Sequence, residues 1–361
     1  MRTYTPPVSP SDPLTLGQQL VAVLEGGRRT ATYKLAVMVA LLDLAVESVP
    51  DDPDAAVAID LDDLAHRVMD LYWRQLRPLD GQVLRQSTDG RGVIFAAVSR
   101  LRDAVASSTL RETPIETAAA RAPETYAAEL LVVKRNLVRY PLDLLQRVGG
   151  EHHPFLYDDS WLGTDSVSRI LAHGNRIELF GGVCFTLARL APLVKPAFQL
   201  AWVDDVRRMN ATLLDDGPDL AHHLFGADRI SLERPGSALA EAFGRECFYC
   251  AKHLTAHQVD HVLPWSRVGL DGLTNLVLAC ASCNSNKSDL LPDPAHITRA
   301  LGRGRSTLDA LAETISWPSQ YERVVSAAHG LYATQPTTTP IWRAARHVEA
   351  LSRVDITWPP R

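Results

Sequence analysis

The sequence predicts a mainly α-helical protein in which a helical body carries one small cysteine-bearing insert. Apolar residues recur at helical spacing over long stretches, for example between residues 30 and 48 and between 61 and 76. Four of the five cysteines fall within residues 247–283, shortly after the turn signal at 233–236. The periodicity therefore predicts the helices, and the cysteine cluster marks a second, smaller module.

The helices and strands are predicted from spacing and from helix-breaking residues. Apolar periodicity predicts helices within residues 30–48, 61–76, 93–105, 114–148 and 305–334. Another helical stretch ends at Asn210 and contains Pro192 and Pro196, which we expect to break or kink it. Residues 177–180 are expected to form a short strand before two glycines.

The chain divides into four predicted regions. They are a disordered proline-rich arm (1–13), a helical region for recognition, regulation or oligomerisation (14–240), the cysteine-bearing module (241–305) and a C-terminal helical segment (306–361). A linker over residues 334–340 is expected to lead to a short terminal helix.

Composition and charge exclude several classes of protein. The formal net charge is −5 and 46% of the residues are hydrophobic, which is typical of a globular chain and not of a basic nucleic-acid coat protein. Five cysteines are too few, and odd in number, for a disulfide scaffold of this length. The longest apolar stretch, residues 35–46, contains Asp43 and is too short for a membrane span. The first residues are rich in proline and do not have the apolar stretch of a secretory signal. We therefore expect a cytoplasmic protein with reduced thiols and no membrane contact.

The clustered cysteines form two Cys-x-x-Cys pairs. Cys247 and Cys250 make the first pair, and Cys280 and Cys283 make the second. Two such pairs supply the four thiolates of a tetrahedral zinc site with no open position, so we expect this zinc to be structural. A site of this kind contributes about 10–16 kcal/mol of apparent binding energy, which a module of this size needs for a stable fold. The fifth cysteine, Cys184, lies in an apolar context and is predicted to be a buried thiol.

Between and after the cysteine pairs stand Asp260-His261, Asn275 and Asn284-x-x-Lys287. This set resembles the HNH endonuclease family, and the similarity covers about residues 243–291. The resemblance implies a ββα-metal fold, a hairpin followed by a helix, and hydrolysis of phosphodiester bonds. A weaker resemblance, to bacterial HNH proteins with a helical region before the nuclease, suggests a restriction or phage-defence effector.

The resemblance assigns roles that suit the chemistry of each residue. His261 would take a proton from water, since an imidazole pKa near about 6.5 suits a general base at neutral pH. Asn275 would hold the imidazole in the correct tautomer. Asp260, on the other face of the strand, and Asn284, at the start of the helix, would bind the catalytic metal. Many family members have His where Asn284 stands, so this chain offers oxygens alone, which favour Mg²⁺ or Mn²⁺.

Three basic residues are candidate contacts to substrate phosphates. Lys287 lies one helical turn from Asn284, and Arg299 and Arg303 follow the module without an acidic residue between them. For each of the three, an ordinary solvated surface position is an equal alternative.

The sequence therefore predicts a metal-dependent HNH endonuclease that cuts DNA, with a structural zinc and a single catalytic Mg²⁺ or Mn²⁺. Two alternatives stay open: a zinc-stabilised nucleic-acid-binding or scaffold protein without turnover, and an HNH nuclease directed at RNA. Because the chain is acidic overall, binding must depend on local contacts. We expect a recognition or assembly step, through a homo-oligomer or a defence-system partner protein.

Overall fold

The computed structural model describes residues 12–26, 29–90, 92–105, 114–148, 151–213, 219–226, 230–352 and 358. The chain forms two compact units. The first contains Met1–Ala45, Pro50–Arg111 and Ala118–Arg229, and the second contains Val46–Val49, Glu112–Thr117 and Ile230–Arg361. None of the helices in the described residues combines the length and the apolar character that crossing a bilayer requires.

The first unit is a helical assembly with short two-stranded sheets. Its helices are α1 (Pro13–Glu25), α2 (Tyr33–Glu47), α3 (Leu61–Gln75), α4 (Val93–Ala104), α5 (Ile115–Arg121), α6 (Pro123–Arg139), α7 (Pro141–Leu145), α8 (Val167–Ala172), α9 (Val183–Met209) and α10 (Leu220–Phe225). The end of α2 and the start of α5 fall in segments assigned to the second unit. Its strands are β1 (Val57–Asp60), β2 (Arg147–Val148), β3 (Glu151–His152) and β4 (Arg176–Leu179). Strand β1 pairs antiparallel with β4, and β2 pairs antiparallel with β3.

Amphipathic spacing and capping explain the helices of this unit. Asp60 caps α3 by accepting hydrogen bonds from the N–H groups of Asp62 and Asp63. One face of α3 is buried, as the spacing predicts. Between helices, Lys195 Nζ donates to Asp43 Oδ1 at 2.6 Å, and both side chains are buried. Cys184 is buried as predicted, and burial raises the pKa of its thiol to about 12.

Of the break or kink expected at Pro192 and Pro196, the break does not occur, because α9 continues through both prolines. The two prolines lie one turn apart on an exposed part of the helix. A proline inside a helix removes one intrahelical donor, and the packing of the buried face of α9 outweighs that loss. Of the predicted proline-rich arm, residues 1–11 lie outside the described residues, whereas Pro13 is the first residue of α1 and follows the cap Asp12.

The second unit contains the cysteine-bearing module. Its helices are α11 (Glu233–Phe243), α12 (Trp265–Val268), a 3₁₀ turn (Leu273–Asn275), α13 (Ala281–Lys287), α14 (Pro294–Leu301), α15 (Arg305–Thr314) and α16 (Tyr321–Ala333). Its strands are β5 (Gln258–His261), β6 (Leu276–Ala279), β7 (Leu291–Pro292), β8 (Pro340–Ala344) and β9 (His347–Ala350). The predicted boundaries at 240/241 and 305/306 fall inside α11 and α15, whereas the C-terminal part of the second unit begins at Ile230.

One hydrophobic core joins the module to the helices and strands that flank it. Leu239 of α11, Leu308 of α15 and Trp317 share this core with Cys247 and with Leu276 of β6. Helix α13 follows the antiparallel hairpin β5–β6, so the local order is strand, strand, helix. The fold class is therefore the predicted one, a mainly α chain with a small ββα module.

Where a C-terminal helix was predicted after the 334–340 linker, the described residues 340–350 instead form the antiparallel hairpin of β8 and β9. Strand β8 also pairs in parallel with β7, and its Ile341 and Trp342 are buried. β-Branched and aromatic side chains fit a half-buried sheet, and pairing with a distant strand outweighs the local preference for a helix. The C-terminal hairpin is thus part of the second unit's core.

Candidate active and metal sites

The four clustered cysteines are arranged to bind one metal ion. Their Sγ atoms all lie within 4.8 Å of one another, and the Cys250 and Cys280 sulfurs are 3.9 Å apart. Zinc–thiolate bonds of about 2.3 Å place the sulfurs of a tetrahedral site about 3.8 Å apart, so the donor set fits Zn²⁺. Cys280 also caps α13. The Cys283 backbone N–H, which donates to Cys280 Sγ, is the main cause that lowers the pKa of Cys280 to about 7.

The hairpin presents Asp260 and His261 to opposite faces, because successive side chains of a strand alternate. Asp260 pairs with Val277 across the hairpin, and His261 pairs with Leu276. Helix α13 packs on the face that carries Asp260, as the contact of its Lys287 with that carboxylate demonstrates. The predicted separation of the two neighbouring residues is therefore present.

The His261 imidazole is held by an aspartate that the sequence did not point to. His261 Nε2 lies 2.8 Å from Asp271 Oδ1, and the side chain of His261 keeps 14% of its exposure. Asp271 is buried, its Oδ2 accepts from Trp265 Nε1 at 3.3 Å, and its backbone oxygen accepts from Trp317 Nε1 at 2.8 Å. Asp271 lies beside Gly272 in a segment typical of a turn. Nothing in its spacing from His261 therefore indicated a contact with the imidazole.

Asn275 does not contact the imidazole, so the predicted contact is wrong. Its buried amide accepts from Leu263 N at 2.8 Å and donates to the carbonyl oxygens of Leu263 and Leu270. These bonds close the loop that carries Asp271, because buried backbone groups need partners. Asn275 therefore holds the loop between Leu263 and Asn275, and Asp271 of that loop makes the contact that was expected of Asn275.

The Asp260 carboxylate is buried and receives hydrogen bonds from two sides. The Tyr249 hydroxyl donates to Oδ2 at 2.6 Å, and Lys287 Nζ lies 3.2 Å from Oδ1 and 3.1 Å from Oδ2. Burial, followed by the charge of Asp260, raises the pKa of Tyr249 well above its usual value, which keeps the hydroxyl a donor. Tyr249 lies between the cysteines of the first pair, and sequence analysis assigned it no role.

Lys287 is not the surface residue that a phosphate contact requires. It is 1% exposed, and its Nζ also donates to the backbone oxygen of His261 at 2.7 Å. Burial lowers the pKa of Lys287, and the charge of Asp260 opposes that effect. A buried ammonium needs a charged partner, and here the partner is the predicted metal ligand. The predicted role of Lys287 in substrate binding is therefore wrong.

Asn284, the second predicted metal ligand, lies on α13 and is partly exposed. Its Nδ2 donates to Gln258 Oε1 at 2.8 Å, and Gln258 is on the same face of β5 as Asp260. Asn284 and Lys287 thus both contact this face from successive turns of the helix. The donor set of Asp260 and Asn284 supplies oxygens, which fits a hard divalent cation.

The two arginines proposed as phosphate contacts have different environments. Arg303 donates to the backbone oxygens of Leu276 and Thr274, and burial lowers its pKa to about 10. It braces the start of β6 and lines the same pocket as Arg299, and its role in substrate binding stays a prediction. Arg299 is exposed, its guanidinium carbon lies 4.1 Å from the ring centroid of Phe248, and it lines a pocket of about 280 Å³. Arg299 remains a predicted phosphate contact.

Comparison with known proteins agrees with this geometry. A family model described as HNH endonuclease matches residues 247–290, which contain the cysteine cluster, the hairpin and α13. A second model, described as Domain of unknown function (DUF8808), matches residues 14–217, more than half of the chain. No curated protein and no solved structure matches the chain. The protein therefore belongs to the family of the domain of unknown function DUF8808 and carries an HNH endonuclease domain at residues 247–290.

Proposed function

We propose that this protein is a metal-dependent nuclease that hydrolyses phosphodiester bonds of DNA, with His261 as the general base. The observation that carries the proposal is the buried Asp260 carboxylate, which Tyr249 and Lys287 hold and which His261 follows on the same strand. An imidazole oriented by a buried carboxylate beside a second buried carboxylate suits proton transfer next to a cation.

The contact with Asp271 determines which nitrogen of His261 acts. With the proton on Nε2 and directed at Asp271, Nδ1 has the free lone pair, and no described residue donates a hydrogen bond to it. The side chain of His261 keeps 14% of its exposure, and in this proposal the water molecule approaches Nδ1 from the exposed side. After His261 takes the proton, the imidazolium carries its charge next to the carboxylate of Asp271, which stabilises it.

Asp260 and Asn284 are the residues that would hold the catalytic metal. When bound there, Mg²⁺ or Mn²⁺ would neutralise charge on the phosphate and on the leaving oxygen. Lys287 and Tyr249 fix the orientation of the Asp260 carboxylate. Tyr249 lies in the turn between Cys247 and Cys250, here called the zinc knuckle, which the zinc site would hold in place. The zinc has a structural role in this proposal because the four thiolates fill its coordination.

A zinc-stabilised binding or scaffold protein is the alternative without turnover. Such a protein has no need to bury the Asp260 carboxylate against Lys287, since this arrangement costs desolvation of charged groups. An RNA-directed nuclease would use the same residues, so it enters as an arm of the experiment.

The experiment uses the full-length, zinc-loaded protein with Mg²⁺ or Mn²⁺. Supercoiled plasmid, linear duplex, modified and single-stranded DNA, and RNA are incubated in parallel, with the His261→Ala variant as the inactive control. We expect DNA strand breaks with the wild type and none with the variant. Cleavage that persists in EDTA while zinc is retained would contradict the catalytic-metal assignment. Cleavage of RNA alone would favour the RNA nuclease, and binding without any cleavage would favour the scaffold.

The cellular role rests on the wider resemblance. A restriction or phage-defence function, a cytoplasmic location, and a homo-oligomer or defence partner stay predictions. Plaque counts on cells that express the wild type or the His261→Ala variant measure the defence function directly. Equal plaque counts for the two would contradict it.

A further inference from the structure

The hydrogen bond between Tyr249 and Asp260 links the zinc knuckle to the predicted catalytic carboxylate. Resting on the proposed function, we propose that Tyr249 is a positioning residue that orients Asp260 for the catalytic metal. The knuckle would thereby set the geometry of the active site as well as the stability of the module. Asp260 Oδ2 accepts the hydroxyl proton at 2.6 Å, a distance typical of a strong, charge-assisted bond.

The ring of Tyr249 is fixed by a cluster of aromatic side chains. Its centroid lies 4.9 Å from that of Trp342, 5.1 Å from that of His296 and 5.2 Å from that of Phe248, each in an edge-to-face arrangement. Trp342 comes from the C-terminal strand β8, beyond the matched nuclease domain. Because three neighbours hold the ring, its hydroxyl has one position from which to donate.

The backbone of the knuckle is tied to the hairpin as well. Phe248 N donates to Leu278 O at 2.8 Å, which anchors the knuckle to β6. Asp260 is on the paired strand β5, so Tyr249 joins the two strands through a side-chain contact beside the backbone ladder. The carboxylate is therefore held relative to the strand that presents it.

Lys287 holds the same carboxylate from the helix side. Its Nζ contacts both oxygens of Asp260 and the backbone oxygen of His261. Each carboxylate oxygen has two lone pairs, so a donor on each side leaves acceptor capacity for a cation. Removal of the Tyr249 hydroxyl would leave Asp260 free to turn towards Lys287, away from the orientation that a metal requires.

The test measures Mn²⁺ affinity in the absence of nucleic acid. Isothermal titration calorimetry compares the zinc-loaded full-length wild type with Tyr249→Phe, which keeps the ring and removes the hydroxyl. We expect binding to weaken about 10- to 100-fold, the range typical for loss of a hydrogen bond to a metal ligand. Zinc content should stay at one ion per chain. In cleavage assays the half-saturating Mn²⁺ concentration should rise, while the rate at saturating Mn²⁺ recovers most of its value.

Tyr321→Phe is the matched control. Tyr321 borders the same core, and its hydroxyl donates to the backbone oxygen of Leu301, not to Asp260. This variant should bind Mn²⁺ as the wild type does. A second variant, Tyr249→Met, replaces the tyrosine with a flexible apolar side chain that has no hydroxyl. If Tyr249→Phe and Tyr249→Met both bind Mn²⁺ more weakly than the wild type, the loss of the hydroxyl is the cause.

Asp260→Asn separates the inference from the proposed function. If Asp260→Asn weakens Mn²⁺ binding and both Tyr249 variants bind Mn²⁺ as tightly as the wild type, the positioning role of Tyr249 is wrong and the metal site stands. If Asp260→Asn also binds as tightly as the wild type, the proposed metal site itself is wrong.

Discussion

Both units of this molecule contain an acidic residue followed by a histidine on a strand, with a partner aspartate for the histidine. In the first unit, His152 Nε2 lies 2.7 Å from Asp159 Oδ2. In the second unit, His261 Nε2 lies 2.8 Å from Asp271 Oδ1. The two pairs are nearly identical as contacts, and both aspartates are buried. A histidine–aspartate pair therefore does not by itself identify an active site.

A buried amide supports the loop beside each pair. In the first unit the Gln146 side-chain oxygen accepts from the N–H groups of Phe155 and Leu156. In the second unit Asn275 accepts from Leu263 N and donates to Leu263 O. Both amides are 0% exposed and satisfy backbone groups that have no partner in a strand or helix.

The difference lies in the acid that precedes each histidine. Glu151 is 79% exposed and pairs with the neighbouring His153, whereas Asp260 is buried between Tyr249 and Lys287. A carboxylate that is fixed and partly desolvated can bind a cation in a defined geometry, and an exposed one has no fixed direction. The surroundings of the acid, and not the histidine pair, distinguish the proposed nuclease site.

Loss of zinc should have the largest effect and should act on one unit alone. A structural zinc site contributes about 10–16 kcal/mol of apparent binding energy, and the first unit has no ligand in the cluster. Cys280→Ser should therefore lose zinc and expose residues 230–350 to limited proteolysis, while fragments from residues 151–213 of the first unit stay protected. Mass spectrometry of the fragments and zinc analysis are the measurements. Cys184→Ala is the control and should keep the metal. A Cys280→Ser protein with full zinc content and unchanged proteolysis would contradict the assignment.

The histidines should differ by a large factor in single-turnover DNA cleavage. General base catalysis contributes about 10²- to 10⁴-fold, so His261→Ala should slow cleavage by at least 100-fold. His152→Ala, which removes the equivalent histidine of the other unit, should cleave at the wild-type rate. If both variants lose cleavage rate to a similar extent, the first unit takes part in the reaction. In that case the environment of the acid, exposed for Glu151 and buried for Asp260, does not distinguish the active site.

Local signals in the sequence predicted the centre of the site. The cysteine spacing identified the four residues positioned to bind a metal ion, because the two cysteines of each pair are close together in the chain. Alternation along a strand separated Asp260 from His261 correctly. Periodicity also placed the helices well, as for the predicted 61–76 and the observed Leu61–Gln75. Each of these features is determined by residues a few positions apart.

Features that depend on distant contacts were missed. Lys287 was expected at the surface because basic residues are rarely buried, and its burial follows from acceptors on strand β5. Trp342, which holds Tyr249, is far along the chain and lies where a helix was expected. Asp271 reaches His261 only because Asn275 closes the intervening loop. Spacing along the chain carries no signal for such contacts.

Asp271 and Asp159, which contact the two histidines, allow the most specific comparison between the two units. Asp271→Asn keeps the size of the side chain and replaces an acceptor with an amide that can donate, which favours the wrong tautomer of His261 and removes the stabilising charge. Misorientation of a catalytic group typically costs about 100-fold, so we expect a loss of that order in the single-turnover rate. Metal affinity should not change, since Asp260 is intact. Asp159→Asn is the matched substitution at the other pair and should leave the rate unchanged. If Asp271→Asn cleaves at the wild-type rate, Asp271 only packs against the imidazole, and the orientation of His261 must come from the loop that Asn275 closes.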